Sequence, residues 1–163
     1  MISRGRRFWK MSGSGNDFVF FDARNDPPGA LELPLAIAAI CDRRTGVGGD
    51  GIVFLEKAAG HVFGIRYFNR DGSLAELCGN ASLCSVTLAR ELGIVSGAES
   101  FTFLTSSGPL SGRLAEGLPE IDASPVAARH PRPTTSQRRC WQSRQTSRRP
   151  ESARRLRCQQ ADS

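Results

Sequence analysis

The sequence predicts a mixed α/β (α+β) domain over residues 1–123, followed by a disordered tail over 124–163. Three observations carry this. Short apolar runs of strand character recur between residues 8 and 115, and two intervening segments have helical spacing, which together imply a sheet with helices layered on it. Glycine-rich loops at 12–17 and 46–51 and a turn-forming stretch at 69–73 separate the runs. The charge is also segregated: residues 1–123 hold 12 Lys and Arg against 14 Asp and Glu, whereas residues 124–163 hold 10 Arg against Glu151 and Asp162. The formal net charge of +6 therefore describes neither part. The body is mildly acidic, and the basicity lies in the tail.

In chain order, residues 8–11 read as a short strand. The loop SGSGND (12–17) then leads into FVFF (18–21), apolar enough for a buried strand. Taken alone the loop is a plain turn. Its alternative is a loop whose backbone approaches a ligand, with the Asn16 amide as a two-way hydrogen-bonding group. Residues 25–29 form a loop. Residues 33–44 form a helix whose apolar face (Leu35, Ala38, Ala39, Cys41) is uneven, with Cys41 in the core.

The segment GVGGDG (46–51) satisfies the pattern GxGxxG, but a dinucleotide-binding loop follows a strand and opens a helix. Here a helix precedes it and a strand, 52–55, follows, and no GK[ST] ending marks a nucleotide P-loop. A glycine loop beside a ligand fits better. Residues 62–68 form the next strand. Residues 101–105 and 110–115 form two more, joined through Ser106-Ser107-Gly108-Pro109.

The chain is organised around YFNRDGSLAELCGNASLC (67–84). Turn chemistry over 69–73 is followed by Cys78-Gly79-Asn80, which opens a helix with Asn80 as its N-cap. Ala81, Cys84, Leu88 and Leu92 share one face, and Gly93 ends the helix. Cys78 then sits just outside a helix N-terminus, where unpaired N–H groups and the dipole favour a thiolate. A lone cysteine in a turn is more often a small buried hydrophobe. The Gly-Asn that follows leaves the backbone open to an anion and shifts the reading towards a reactive thiol.

Five cysteines (41, 78, 84, 140 and 158) make an odd, irregular set, and MISRGRRFWK has no apolar segment behind its basic start. A reducing cytoplasm with free thiols follows. No run approaches the ~20 apolar residues of a membrane span. With only His61 and His130, and no CxxC pair, no metal is expected.

The tail is rich in Arg, Ser, Pro, Gln and Thr and cannot bury enough surface to offset its ordering entropy. One reading is a basic nucleic-acid-binding arm on a non-catalytic module. Another is a solvated disordered tail. The favoured reading is a frameshifted GC-rich gene, so nucleic acid is not the expected partner.

Three segments carry a family resemblance: KMSGSGNDFVFFD (10–22), CDRRTGVGGDGIVFLE (41–56) and YFNRDGSLAELCGNASLC (67–84). Together they resemble the N-terminal half of diaminopimelate epimerase, over residues 8–122. The resemblance implies one lobe of a two-lobed fold, each lobe a curved mixed sheet around a central helix. It implies a cofactor-independent isomerase that interconverts LL- and meso-diaminopimelate on the route to lysine and peptidoglycan, and homodimeric full-length members. A related reading is a racemase of the same fold acting on another amino acid.

The resemblance also implies residue roles. Cys78 would be one of two catalytic cysteines, Gly79 and Asn80 would hold the substrate carboxylate, and Asn16 and Asn69 would hydrogen-bond the amino-acid substrate. Two departures stand out. The family loop reads CGNGxRC, where this chain has Ala81 and Leu83. The second lobe, with its own Cys-Gly-Thr-Gly loop, has no counterpart, and neither Cys140 nor Cys158 lies in such a context. The expectation is a truncated chain, inactive as written.

Overall fold

The computed structural model describes residues 5–97, 99–122 and 158–160. The strands are β1 (Trp9–Gly13), β2 (Asn16–Asp22), β3 (Gly51–Glu56), β4 (Gly64–Asn69), β5 (Phe101–Thr105), β6 (Gly108–Ala115), β7 (Leu118–Asp122) and β8 (Cys158–Gln160). The helices are α1 (Pro34–Cys41), preceded by a 3-10 turn (Gly29–Glu32), and α2 (Gly79–Glu91). Among the described residues, eight strands form one sheet in the order β7-β6-β5-β4-β3-β2-β1-β8.

Two of the pairings are parallel, β2 with β3 and β4 with β5, and the rest are antiparallel. A parallel pair needs a crossover connection. Helix α1 lies in the first crossover and α2 in the second, which accounts for two helices among so many strands. The β1–β2 hairpin closes through Ser14 and Gly15, both at positive φ (51° and 91°), as a two-residue turn matched to strand twist requires.

The central strands are apolar on both faces because each face is covered. On β2 and β3, Phe18, Phe20, Val53 and Leu55 join the cluster around α2. Val19, Phe21, Ile52 and Phe54 join Ile37 and Cys41 of α1 in a second cluster. This alternation is the period-two geometry of a strand. Helix α2 packs on β6 and β7 near one end of the strand order and on β1 and β8 at the other, so the sheet curls around it. Eight of the helix's residues, from Ala81 to Ala89, are accordingly buried.

Both helices differ in detail from the sequence expectation. Helix α1 stops at Cys41 rather than 44, because the Asp42 carboxylate accepts the N–H groups of Arg44 and Thr45 and the Thr45 hydroxyl at 2.8–2.9 Å. Such an Asx turn competes with helix continuation. The N–H groups of Gly48 and Gly49 then cap the carbonyls of Ile40 and Cys41 at 3.0 and 3.1 Å. In α2 the N-cap is Cys78, not Asn80, with extended backbone (φ −132°, ψ 111°). The C-terminus is as expected: Gly93 (φ 66°) donates to Arg90 O and Ile94 to Ala89 O, a Schellman close.

Strand β7 was not foreseen, since Pro119 and two acidic residues obscure it. It lies at the sheet edge, where proline is tolerated. The short β8 pairs antiparallel with β1, from Met11↔Gln160 to Gly13↔Cys158, where no strand was expected. The remaining tail, and with it the expectations of disorder, of a nucleic-acid arm and of a frameshift, lies outside the described residues. Among the described residues no helix is long and apolar enough to cross a membrane.

Candidate functional site

Three loops meet at one end of the curled sheet. They are the β1–β2 turn, the segment entering β3 at Asp50, and the loop between β4 and α2 that ends in Cys78. Register enforces the meeting: Phe18 lies opposite Gly51, and Gly51 opposite Asn69. Glycine lets α2 approach the hairpin. A Cβ at Gly13 would stand 3.0 Å from Cys84 Sγ and 3.3 Å from Asn80 O, tighter than an ordinary contact.

Cys78 is half-buried, and its Sγ accepts the Ala81 N–H at 3.5 Å. Its carbonyl takes the first bond of α2, from Ser82 N–H at 2.9 Å. Gly79 and Asn80 follow in the first turn, where backbone N–H groups have no intrahelical acceptor. Gly79 is exposed, and a Cβ built there meets nothing within 4 Å, so the backbone is open to a ligand. The sequence reading of Cys78 at a helix N-terminus therefore stands.

Asn80 does not cap the helix. Its Nδ2 donates to Asn16 Oδ1 at 2.9 Å, and Asn16 Nδ2 donates to Asp50 Oδ2 at 3.0 Å. Asp50 Oδ2 also takes the Asp17 N–H at 3.2 Å. Arg43 bridges Asp17 (2.6 and 2.9 Å) and Asp50 (2.9 Å), while Lys10 pairs with Asp17 at 2.8 Å and donates to the Gly48 carbonyl. The Arg43 hydrogen bonds, with help from Lys10, hold the Asp17 carboxyl well below the usual carboxylate range despite desolvation. One polar chain thus runs from the first turn of α2 to the glycine loop.

Asn69 stands apart from that chain. Its side chain donates to Ser73 Oγ at 3.0 Å and its N–H to Ser73 O at 2.8 Å, inside its own turn. The neighbouring Arg70 N–H reaches Asp50 O at 3.1 Å, which ties the turn to the same corner. Asp50, Arg43 and Lys10 were missed by the sequence reading, although each lies in or beside a motif it had singled out. Cys41 and Cys84 are buried. Burial pushes the Cys41 thiol up. No group of three or more metal-binding side chains is assembled among the described residues.

The sequence model for the diaminopimelate epimerase family matches residues 8–117, which contain every group named above. The chain belongs to the diaminopimelate epimerase family. It is 45% identical over 120 residues to the diaminopimelate epimerase of Gemmatimonas aurantiaca, covering 73% of this chain and 43% of the relative. It is 46% identical over 128 residues to that of Rhodospirillum centenum, covering 74% and 41%. The chain thus spans about two fifths of the length of these relatives.

Solved structures agree on the fold. A phenazine biosynthesis protein of the PhzF family from Bacillus anthracis superposes with a TM-score of 0.54 at 20% identity, over 70% of this chain and 38% of that one. A hydroxyproline epimerase from Agrobacterium vitis gives 0.53 at 14% identity, over 72% and 40%. The expected curved lobe around a central helix is therefore the fold of this chain.

Proposed function

We propose that the chain supplies one side of a cofactor-independent amino-acid epimerase site for diaminopimelate, with Cys78 moving the α-proton on one face of the substrate carbon. The observation that carries this is the half-buried Cys78 thiol at the N-cap of α2, beside the open backbone of Gly79. An α-carboxylate at the N–H groups of Gly79 and Asn80 would meet the positive end of the helix dipole. The same dipole stabilises charge that develops when the α-proton leaves. Asn16, held by Asp50 and Asn80, and Asn69, in the turn tied to the same corner, would hydrogen-bond the rest of the amino acid.

Inversion needs a base on one face and an acid on the other. The described residues supply one such group, since Cys41 and Cys84 are buried. In this reading a second cysteine, outside the described residues, completes the pair on the opposite face of the substrate.

The test is α-proton exchange of LL-diaminopimelate in deuterium oxide, followed by NMR. Slow exchange without formation of the meso isomer is expected, abolished by Cys78→Ala or by thiol alkylation. Exchange that survives Cys78→Ala, or no exchange at all in a folded sample, would remove the claim.

A further inference from the structure

The polar chain of the site has a fixed polarity, and Asp50 sets it. A carboxylate only accepts hydrogen bonds. Asp50 accepts from Arg43 at 2.9 Å, from the Asp17 N–H at 3.2 Å and from Asn16 Nδ2 at 3.0 Å. The Asn16 amide must therefore turn its NH2 to Asp50 and its Oδ1 to Asn80, since the flipped amide would set two acceptors against each other. Asn80 must in turn offer Nδ2 to that oxygen, as it does at 2.9 Å. One anion thus orients two amides.

The outer end of the chain is then a bare carbonyl. Asn80 Oδ1 has no hydrogen-bond partner among the described residues. It is open to solvent, because the buried side-chain atom left in that state there is Ser82 Oγ. Asn80 directly follows Gly79, whose exposed backbone is the carboxylate position in the reading above. A lone acceptor beside a carboxylate site calls for a donor. In an α-amino acid, the group one carbon away from the carboxylate is an ammonium, which only donates.

We infer that Asp50 is a positioning residue that fixes the Asn80 side-chain carbonyl as the acceptor for the α-ammonium of the substrate. The inference rests on the substrate carboxylate lying at the N–H groups of Gly79 and Asn80. A hydrogen bond to the charged form keeps the amine protonated. The protonated amine withdraws electrons from the α-carbon, so the α-proton leaves more readily for Cys78.

LL-diaminopimelate and pimelate test this, since pimelate is the same diacid without its amino groups. Each is titrated into the nitrogen-15-labelled chain and read on the Gly79 and Asn80 backbone signals, in about 0.5 M KCl to screen distant charges. Diaminopimelate should bind roughly 3- to 10-fold more tightly, the range for one charge-assisted hydrogen bond at a partly open site. Asn80→Ala removes the acceptor but keeps the backbone N–H, and Asp50→Ala frees both amides. Each should bring the ratio of affinities to about 1 in a chain whose amide spectrum stays dispersed. Equal affinities in the unmodified chain, no shift with either acid, or a ratio that survives either substitution would overturn the inference. None of these readings involves the Cys78 thiol, so the loss of α-proton exchange in Cys78→Ala is decided separately.

Discussion

Replacing Asp50 by alanine tests whether the polar chain, rather than the hairpin alone, orients the asparagine amides of the site. Asp50 Oδ2 accepts two neutral donors, the Asn16 amide at 3.0 Å and the Asp17 N–H at 3.2 Å. A hydrogen bond to an ionised acceptor contributes about 1.5–3 kcal/mol when shielded. The Asp50 side chain is 32% exposed, so about 1 kcal/mol per bond is the better figure, and Asp50→Ala should destabilise the fold by ~2 kcal/mol. The ion pair with Arg43 is left out of that sum because the guanidinium is exposed.

Urea unfolding followed by tryptophan fluorescence supplies the free energy. The side-chain amide signals of Asn16 and Asn80 in a nitrogen-15 correlation spectrum supply the orientation. Asp50→Asn keeps one acceptor oxygen and should lose about half as much, with smaller shifts of both amides. If Asp50→Ala unfolds at the wild-type urea concentration with both amide signals unmoved, Asp50 does not organise this corner.

Three further outcomes follow from the geometry. Asp17, held low by Arg43, stabilises the fold above its ordinary value of 3.8, and this contribution is lost as pH falls below that value. Urea midpoints measured from pH 6 to pH 2 should therefore drop less steeply for Asp17→Asn than for the unchanged chain. Tyr67, the single tyrosine, is pushed up to about 12, first by burial and then by charge at Cys78 and Asp50. Its absorbance change should fall near 12 in the folded chain and near 10 in denaturant, and a raised value means stability held below pH 10 is lost above it. Gly13→Ala drives a methyl group towards Cys84 Sγ and Asn80 O and should cost about 1–3 kcal/mol in the same unfolding assay, whereas a neutral result would mean α2 can move off the hairpin.

Most of the lobe was legible because its signals are local. Runs such as FVFF and IVFL are buried on both faces, so each reads as a strand without knowledge of its neighbours. Gly93 stops α2 through its own backbone preference. What escaped depends on long-range partners or on competing side chains. Helix α1 ends early because the Asp42 carboxylate takes the N–H groups of Arg44 and Thr45 that would have continued it, and β7 is a strand because an edge position excuses Pro119. The link from Asn80 through Asn16 to Asp50 joins residues 64 and 34 positions apart, and no local pattern announces it.

The displacement of the N-cap from Asn80 to Cys78 bears on the two departures from the family loop. An asparagine cap would have spent its side chain on the helix. With the thiol in that place, the Asn80 amide is released to hold Asn16, and the helix end is coupled to the glycine loop. Ala81 loses nothing by having a side chain, since its contribution is the N–H that Cys78 Sγ accepts. An anion at this helix would therefore rely on Gly79 and Asn80. Leu83 is only 5% exposed, so the position that carries arginine in the family loop is here enclosed by the fold. An arginine at 83 would bury a charge that the fold would have to pair, at a cost of several kcal/mol if it did not. Under the proposed function, the leucine removes a possible ligand to the loop without opening it, and holding a substrate would fall to the Gly79 and Asn80 backbone and to the Asn16 and Asn69 side chains.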